Sequence, residues 1–433
     1  MITCHRKTLA NGLRLMAVEL PHLHSAEVAV YLKVGGRYDP PGKAGLSHFL
    51  EHMLFRGTRD FPTTLELEAA FESIGGSVNA ATDSDSTCFY SRIHPNNSAE
   101  AVRIFSSMLL HPTMPGIDIE KRIIAEEALE DINERGEEIN LDNLASKLLW
   151  PDDPLGTPTV GTLETIAGFT EEDLRNHMER YYVPANTVIV AAGNIDPYSF
   201  FAACTEYFGA WQGSAPAGFL SIPHSQTAPQ MVFVKNFDSQ IGLQIAFRGF
   251  TRQDPRIMPS RLIRRILCGG GSARLLMSLR ERLGIVYSVT AGISAYEETG
   301  CFATDLSTAP ENMLTAVEEV LKEMLRLVVE PVTGDELQRA KNGYFFDLEY
   351  SRDSTYEMGV RYGWGELMEI LQDLEADQAE AAAVSVEMLQ TTARELFAPH
   401  NLNLAAVGPW KVAGKNAVQK ILDRYRKDFP LAE

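Results

Sequence analysis

The sequence LSHFLEHML occupies residues 46–54 and predicts an amphipathic helix. Its apolar residues recur at i, i+3, i+4, i+7 and i+8, which places them along one side of a helix. At about 100° of rotation per residue, His48, Glu51 and His52 fall within one arc on the opposite side. The helix should therefore bury one side and present two imidazoles and a carboxylate on the other.

Two histidines at this spacing can bind the same metal ion, because their Cβ atoms lie about 6 Å apart on a helix. Glu51, between His48 and His52, could then polarise a metal-bound water, as in the H-x-x-E-H arrangement that reverses H-E-x-x-H. The alternative is an ordinary solvated face of an amphipathic helix. The chain has only 10 histidines, so two of them at this spacing around a glutamate favour a metal site.

A catalytic zinc usually has three protein ligands and one open position, so a third ligand is expected. A long helical pattern at 117–148 contains the acidic segment EKRIIAEEALED. Glu120 and Glu127 are seven residues apart and share an apolar face, where a carboxylate is costly unless it meets a cation or hydrogen-bond donors. Asp131 shares this face and remains a competitor, whereas Glu126 lies off it. Ordinary surface charge is the alternative for both glutamates.

The composition is that of a globular protein, with 45% apolar and 22% charged residues among 433. The net charge of -19 argues against partners such as nucleic acid or an anionic membrane. No apolar run is long enough to predict a transmembrane helix, and the first residues lack the pattern of a secretory signal. The 5 cysteines are widely spread without a C-x-x-C pair. Together these features predict a cytoplasmic chain with reduced thiols and no thiolate metal site.

Strand-like and helix-like segments follow the same order in two halves of the chain. When the halves are aligned with each other, HFLEHMLFRG at 48–57 lies over RLIRRILCGG at 261–270. The pattern predicts an α+β fold of two homologous domains, each a mostly antiparallel sheet with helices packed on one face. We place the catalytic domain at 1–212, a Ser-, Pro-, Gly- and Ala-rich linker at 213–229 and the second domain at 230–433. Two unrelated α/β domains are the alternative.

The arrangement of His48, Glu51 and His52, followed by Glu127, resembles the signature of the insulinase/pitrilysin metallopeptidases, or inverzincins. GLSHFLEHMLFRGT resembles the signature helix of that family, GGSVNAATDSDSTCFYSRIH the strand region after it, and EKRIIAEE its third-ligand helix. The resemblance extends over the whole chain. Within the family, the chain resembles the bacterial members with a chain of this length and the β subunit of the mitochondrial processing peptidase.

This resemblance implies a role for each residue of the predicted site. His48, His52 and Glu127 would hold one Zn²⁺ per chain, Glu51 would be the general base, and Glu120 would support the metal site or catalysis from nearby. His₂Glu sites suit zinc, but manganese or cobalt can occupy them.

Further positions match the family's substrate-binding motifs. SLRERLGIVYSV resembles its second-half motif, which implies that Arg280 and Tyr287 hold the substrate backbone. Asn79 and Ala80 match the edge strand to which an extended peptide adds. Without the resemblance, the sequence predicts that Arg280 is a surface charge and Tyr287 a half-buried strand residue. Asn79 and Ala80 would then belong to an ordinary strand.

The second half has no metal-ligand set of its own. In the alignment of the two halves, the three polar residues of the first helix meet Arg261, Arg264 and Arg265, which cannot bind a cation. The run Gly269–Ser272 lacks the spacing of a phosphate-binding loop and predicts a turn between helices.

The resemblance therefore implies a zinc metalloendopeptidase that hydrolyses small or unfolded peptides inside a closed chamber. In relatives of this length two chains pair around the chamber, and this chain carries both the metal half and the Arg/Tyr half, so a homodimer suffices. The alternative functions are a non-catalytic subunit and a catalytic subunit that depends on a different partner in a heterodimer.

Overall fold

The computed structural model describes residues 2–214, 218–221 and 223–430. The chain divides into two compact units. The N-unit comprises Met1–Glu130, Thr157–Leu220 and Glu349–Gln372, and the C-unit comprises Asp131–Gly156, Ser221–Leu348 and Asp373–Glu433. The predicted linker at 213–229 includes residues 215–217 and 222, which lie outside the described part of the chain.

The N-unit contains a sheet in the order β1-β2-β6-β3-β5-β4. Its neighbouring strands are antiparallel except for the parallel pair β2 and β6. β5 alternates buried and less buried residues, as a half-buried strand does, whereas β3 is buried along its whole length. The strands are β1 (Thr3–Thr8), β2 (Arg14–Glu19), β3 (Ala26–Leu32), β4 (Asn79–Thr82), β5 (Thr87–Ile93) and β6 (Thr187–Gly193).

The C-unit repeats the topology of strands β2 to β6. Its sheet has the order β7-β11-β8-β10-β9, and the parallel pair is β7 and β11. The alignment of the two halves places Thr87 over Gly300, the first residues of β5 and β10. The predicted α+β fold of two homologous, mostly antiparallel domains is confirmed. The strands are β7 (Gln230–Lys235), β8 (Ile241–Gly249), β9 (Val286–Ala295), β10 (Gly300–Thr308) and β11 (Leu402–Gly408).

Amphipathic helices cover one face of each sheet, and their apolar residues form the two main cores. In the first half the helices are α1 (Leu46–Met53), α2 (Thr64–Ser73), α3 (Ser98–Leu110), α4 (Ile117–Glu130), α5 (Leu141–Leu149), α6 (Leu163–Gly168), α7 (Glu171–Tyr181) and α8 (Pro197–Phe208). In the second half they are α9 (Ile257–Cys268), α10 (Met313–Val329), α11 (Gly334–Tyr350), α12 (Thr355–Gly359), α13 (Gly365–Leu367), α14 (Leu374–Ala383), α15 (Val386–Leu396) and α16 (Val412–Asp428), with π-helical turns at Leu276–Arg282 and Val360–Trp364.

The second face of each sheet is covered by a segment from the other half of the sequence. In the N-unit, Met358 and Tyr362 pack on Ala29 and Tyr31 of β3. In the C-unit, the segment that contains Trp150 packs on β8 and β11. The units are therefore discontinuous, whereas the domain bounds predicted from the sequence are continuous. Periodicity shows which side of a helix is apolar, but it does not show which sheet that side meets.

The long helix expected at 117–148 is wrong, because the structure has two helices there. α4 ends at Glu130 and α5 begins at Leu141. Between them, the side chain of Asn133 accepts hydrogen bonds from the backbone N–H groups of Arg135 and Glu137. Such a local turn competes with the helix for backbone hydrogen bonds. Within the described residues, no helix is both long enough and apolar enough to cross a membrane.

Candidate metal centre

The start of α1 is fixed by a buried carboxylate. Asp39 accepts hydrogen bonds from the backbone N–H groups of Gly45, Leu46 and Ser47, at 2.8, 3.0 and 2.9 Å. These are among the N–H groups that have no partner inside the helix. The Ser47 hydroxyl also lies 2.7 Å from Asp39 and 2.9 Å from Nε2 of His177 on α7. The network orients the helix that carries the predicted ligands.

Gly45 permits this tight entry into the helix. Its φ is +90°, and a Cβ there would lie 2.4 Å from the carbonyl oxygen of Val160. Any other residue at this position would push the backbone around Gly45 away from the backbone at Val160.

The amphipathic helix at Leu46–Met53 is confirmed, with Phe49 and Leu50 fully buried in the core. Its polar side is also largely buried, because His48 is 9% and Glu51 is 7% exposed. An ordinary solvated face would leave these side chains in water. The structure therefore excludes that alternative for α1.

Glu127 on α4 meets both histidines. Its carboxylate oxygens lie 3.6 Å from Nε2 of His48 and 3.8 Å from Nε2 of His52. One ligand atom from each of the three residues lies within 4.8 Å of the others. Two tetrahedral ligands that bind one zinc are separated by about 3.4 Å, since each bond is about 2.1 Å long. The donor set and its spacing thus fit a zinc ion.

Glu120 lies behind this set and is only 4% exposed. Its Oε1 is 2.9 Å from Nδ1 of His52, and its Oε2 is 3.6 Å from Nε of Arg56. When Nδ1 of His52 donates a hydrogen bond to Glu120, the lone pair that can bind a metal is on Nε2 of the same ring. This is the atom that faces Glu127.

The electrostatics of the two imidazoles differ. Burial, together with the neighbouring His52, lowers the pKa of His48 to about 3, so this ring is neutral. Burial also disfavours the charged form of His52, but the hydrogen bond to Glu120 and the nearby Glu51 and Glu127 outweigh it and raise the pKa of His52. Divalent metal binding uses neutral imidazoles, and nearby carboxylates favour the positive charge that an ion brings.

Glu51 is connected to the edge of the sheet. Its Oε2 accepts a hydrogen bond from the hydroxyl of Thr82 on β4. Burial raises the pKa of Glu51, while the bond from Thr82 opposes that rise. Sequence reasoning missed Thr82. The only local indication of its role is the alternation of side chains along β4, which places Thr82 on the same face of the strand as Ala80.

β4 is an edge strand, as predicted for Asn79 and Ala80. Asn79 is exposed, whereas Ala80 packs against the core of the N-unit. One side of this strand is thus available for pairing with an extended peptide. Their role in binding a peptide stays a prediction.

Arg280 and Tyr287 are neighbours in the C-unit. Both are exposed, and the guanidinium carbon of Arg280 lies 5.6 Å from the centre of the Tyr287 ring. Tyr287 lies on β9, the edge strand that corresponds to β4. Their role in holding a substrate stays a prediction.

The competing third ligand, Asp131, has other partners. Its carboxylate accepts hydrogen bonds from the side chains of Asn140 and Asn143, at 2.8 and 3.3 Å. It lies beyond the end of α4 and stabilises the turn before α5. Of the two candidates, Glu127 is the one that meets the histidines.

Two family models match successive parts of the chain. Residues 14–163 match a family model described as insulinase (peptidase family M16), and residues 168–344 match one described as the peptidase M16 inactive domain. The chain is 30% identical over 414 residues to an uncharacterized zinc protease, YmxG, of Bacillus subtilis, covering 93% of this chain and 98% of that protein.

Solved structures with the same fold cover nearly all of this chain. A protease from Helicobacter pylori superimposes with a TM-score of 0.86 at 18% identity, covering 94% of this chain and 100% of the other. A peptidase M16 inactive domain from Pseudomonas fluorescens has a TM-score of 0.84 at 21% identity, covering 94% and 98% of the two chains.

Proposed function

Because the chain belongs to the insulinase family, peptidase family M16, we propose that it is a zinc metalloendopeptidase that hydrolyses small or unfolded peptides. The observation that carries this proposal is the convergence of His48, His52 and Glu127 within 4.8 Å, with the buried Glu51 on the same helix. One zinc per chain would be held by these three ligands.

A bound zinc would polarise the scissile carbonyl and lower the pKa of a water. In this proposal Glu51 accepts a proton from that water and later donates it to the leaving amine. The hydroxyl of Thr82 holds Glu51 in place. Glu120 keeps the ring of His52 in one tautomer and orientation. Each of these residues has a contact that supports its role.

The edge strand β4 supports the choice of an extended peptide as substrate. A peptide that pairs with β4 would use its own main chain for binding, as in β-strand addition. Because Thr82 of β4 contacts Glu51, such a peptide would run beside the general base. In a folded protein most extended segments are already paired within its sheets. Unfolded chains and short peptides should therefore be cut, and native proteins should not.

We also propose that two copies of the chain form the active enzyme in the cytoplasm. The chain carries the metal-ligand set in one unit and the adjacent Arg280 and Tyr287 in the other. If the second pair holds the substrate, a homodimer supplies every required part and encloses the chamber. Native mass measured on the chain expressed alone tests this point, since a monomer would contradict it.

Cleavage of a quenched, unstructured peptide library by the purified chain tests the proposed function. Activity should be present in the parent and lost both in Glu51→Gln and after chelation. The absence of activity in a zinc-loaded parent would favour a subunit that needs a different partner. The absence of both activity and bound metal would favour a non-catalytic subunit.

A further inference from the structure

The C-unit contains a cavity of about 350 Å³ between α9 and α11. Its lining includes Arg265 on α9, Ser272 in the turn that follows, and Arg339, Ala340, Asn342 and Phe346 on α11. The cavity is within the lower range of volumes for small-molecule sites, roughly 300–1,000 Å³. It lies wholly within one unit.

This cavity is the counterpart of the metal centre in the duplicated fold. The alignment of the two halves places Arg265 at the position of His52 and Ala340 at the position of Glu127. One metal ligand is thus replaced by a guanidinium and another by a methyl group, and both replacements line the cavity. Alanine in place of a ligand carboxylate leaves space at this position. Arginine in place of an imidazole means that the site favours an anion where the metal centre favours a cation.

Arg265 has an unused hydrogen-bond donor. Its side chain is 10% exposed, and its Nε is buried without a hydrogen-bond partner among the described residues. Its Nη2 contacts Asp347, which is itself mostly exposed. A guanidinium has five N–H donors and no acceptor, so the donors of Arg265 that Asp347 does not use favour an oxyanion. Nη1 packs so closely on Gly343 that a Cβ there would come within 2.9 Å.

Arg339 adds a second positive charge. It is exposed at the cavity and has no ion pair within the part of the chain that the structure describes. The acidic group in the lining is Glu336, whose carboxylate accepts hydrogen bonds from Arg274 at 2.8 and 3.0 Å. These bonds hold the pKa of Glu336 at about 2. Its charge is therefore already matched, as that of Arg265 is by Asp347, and the unpaired charge of Arg339 leaves the cavity suited to an anion.

The remaining lining is partly neutral and partly apolar. Ser272 and Asn342 can donate hydrogen bonds, whereas Ile266 and Ala340 are apolar. Phe346 lines the cavity and is 55% exposed. A bare inorganic ion would leave the apolar side unused. An organic anion would use both parts.

We propose that this cavity binds a small organic anion, a carboxylate or a phosphate ester, through Arg265 and Arg339. Phe346 and the apolar wall contact the organic part. This proposal goes beyond peptide hydrolysis, and it needs neither zinc nor Glu51. Its test is a binding measurement, so its failure is distinguishable from failure of the peptidase proposal.

Isothermal titration calorimetry on the full chain tests the site with three probes. They are N-acetyl-phenylalanine, phenyl phosphate and the uncharged N-acetyl-phenylalaninamide. At least one anionic probe should bind, and the amide should not. The comparison of carboxylate with phosphate identifies the preferred anion.

Arg339→Gln should weaken binding of the anion at least about tenfold, since it removes one charged contact. Arg265→Lys keeps the charge, removes the planar fork and should also weaken binding. The matched control is Arg394→Gln, an exposed arginine outside the lining, which should bind like the parent. Equal binding of the amide, binding unchanged in Arg339→Gln, or no binding of either anion would overturn the proposal.

Discussion

Nδ1 of His52 lies 2.9 Å from Oε1 of Glu120, a carboxylate that is almost fully buried. This contact joins α1 to α4 and leaves Nε2 of His52 directed at Glu127. Buried carboxylates are costly unless they are paired. The pair therefore explains why a glutamate is placed about two turns before the third ligand, on the same face of α4.

Glu120→Gln should weaken zinc binding by about 10- to 100-fold, the usual range for a partner that orients a ligand. Glutamine can still accept the hydrogen bond from Nδ1 but removes the negative charge. Competition with a zinc chelator measures the affinity. Glu126→Gln on the exposed side of α4 is the control, and equal affinities of the two variants would contradict the assigned role.

Glu51→Gln should reduce kcat by about 10²- to 10⁴-fold, the range for general acid–base catalysis, while zinc remains bound. Thr82→Val should have a smaller effect on kcat. It removes the hydrogen bond that lowers the pKa of Glu51, so the acidic limb of the pH–rate profile should move to higher pH. A merely structural role for Thr82 would lower activity without moving that limb.

Asp39→Ala should destabilise the N-unit by about 1–3 kcal/mol, because the backbone N–H groups of Gly45 and Ser47 at the start of α1 lose the carboxylate that accepts their hydrogen bonds. Urea unfolding measures this change. Asp118→Ala, at an exposed position in the first turn of α4, should change the free energy of unfolding by less than about 0.5 kcal/mol. Similar effects of both substitutions would show that Asp39 does not stabilise the start of α1 as its hydrogen bonds indicate.

Glu27 should make stability depend on pH. It is 3% exposed on β3, its Oε1 has no hydrogen-bond partner among the described residues, and burial raises its pKa to about 7. Because the folded pKa lies above the unfolded value, the stabilising contribution is complete below about pH 4.5 and is lost as pH rises through 7. A shift of this size corresponds to about 3 kcal/mol.

Glu27→Gln stays neutral, so its free energy of unfolding should exceed that of the parent increasingly between pH 5 and pH 8. Urea titrations at several pH values measure the difference. The exposed Glu179→Gln is the control and should run parallel to the parent. A constant difference between Glu27→Gln and the parent over this range would contradict the prediction.

Much of the fold was accessible from the sequence because it depends on local periodicity. The amphipathic pattern of α1 predicted the right helix, and the alignment of the two halves predicted the duplication. The pattern at 117–148 was misread as one helix, because the turn around Asn133 interrupts it. The covering of each sheet by a segment from the other half depends on long-range packing, which periodicity does not encode.

For the site, spacing placed His48 and His52 in one hypothesis and left the third ligand open, and the family resemblance then indicated Glu127. The structure brings these three residues together. Spacing could not find Thr82 or the pair of Asp39 and His177. These residues come from separate elements and meet α1 only in the folded chain. Single serine, threonine and aspartate residues carry no periodic signal that would single them out.

Titration of zinc into the metal-free chain, with bound metal and peptide cleavage measured on the same samples, tests the central claim most directly. The account predicts that cleavage rises with bound zinc and saturates at one equivalent per chain. Glu127→Gln should neither bind zinc tightly nor recover activity, whereas Glu126→Gln should match the parent. Full activity without metal, or unchanged zinc-dependent activity in Glu127→Gln, would contradict a catalytic zinc held by His48, His52 and Glu127.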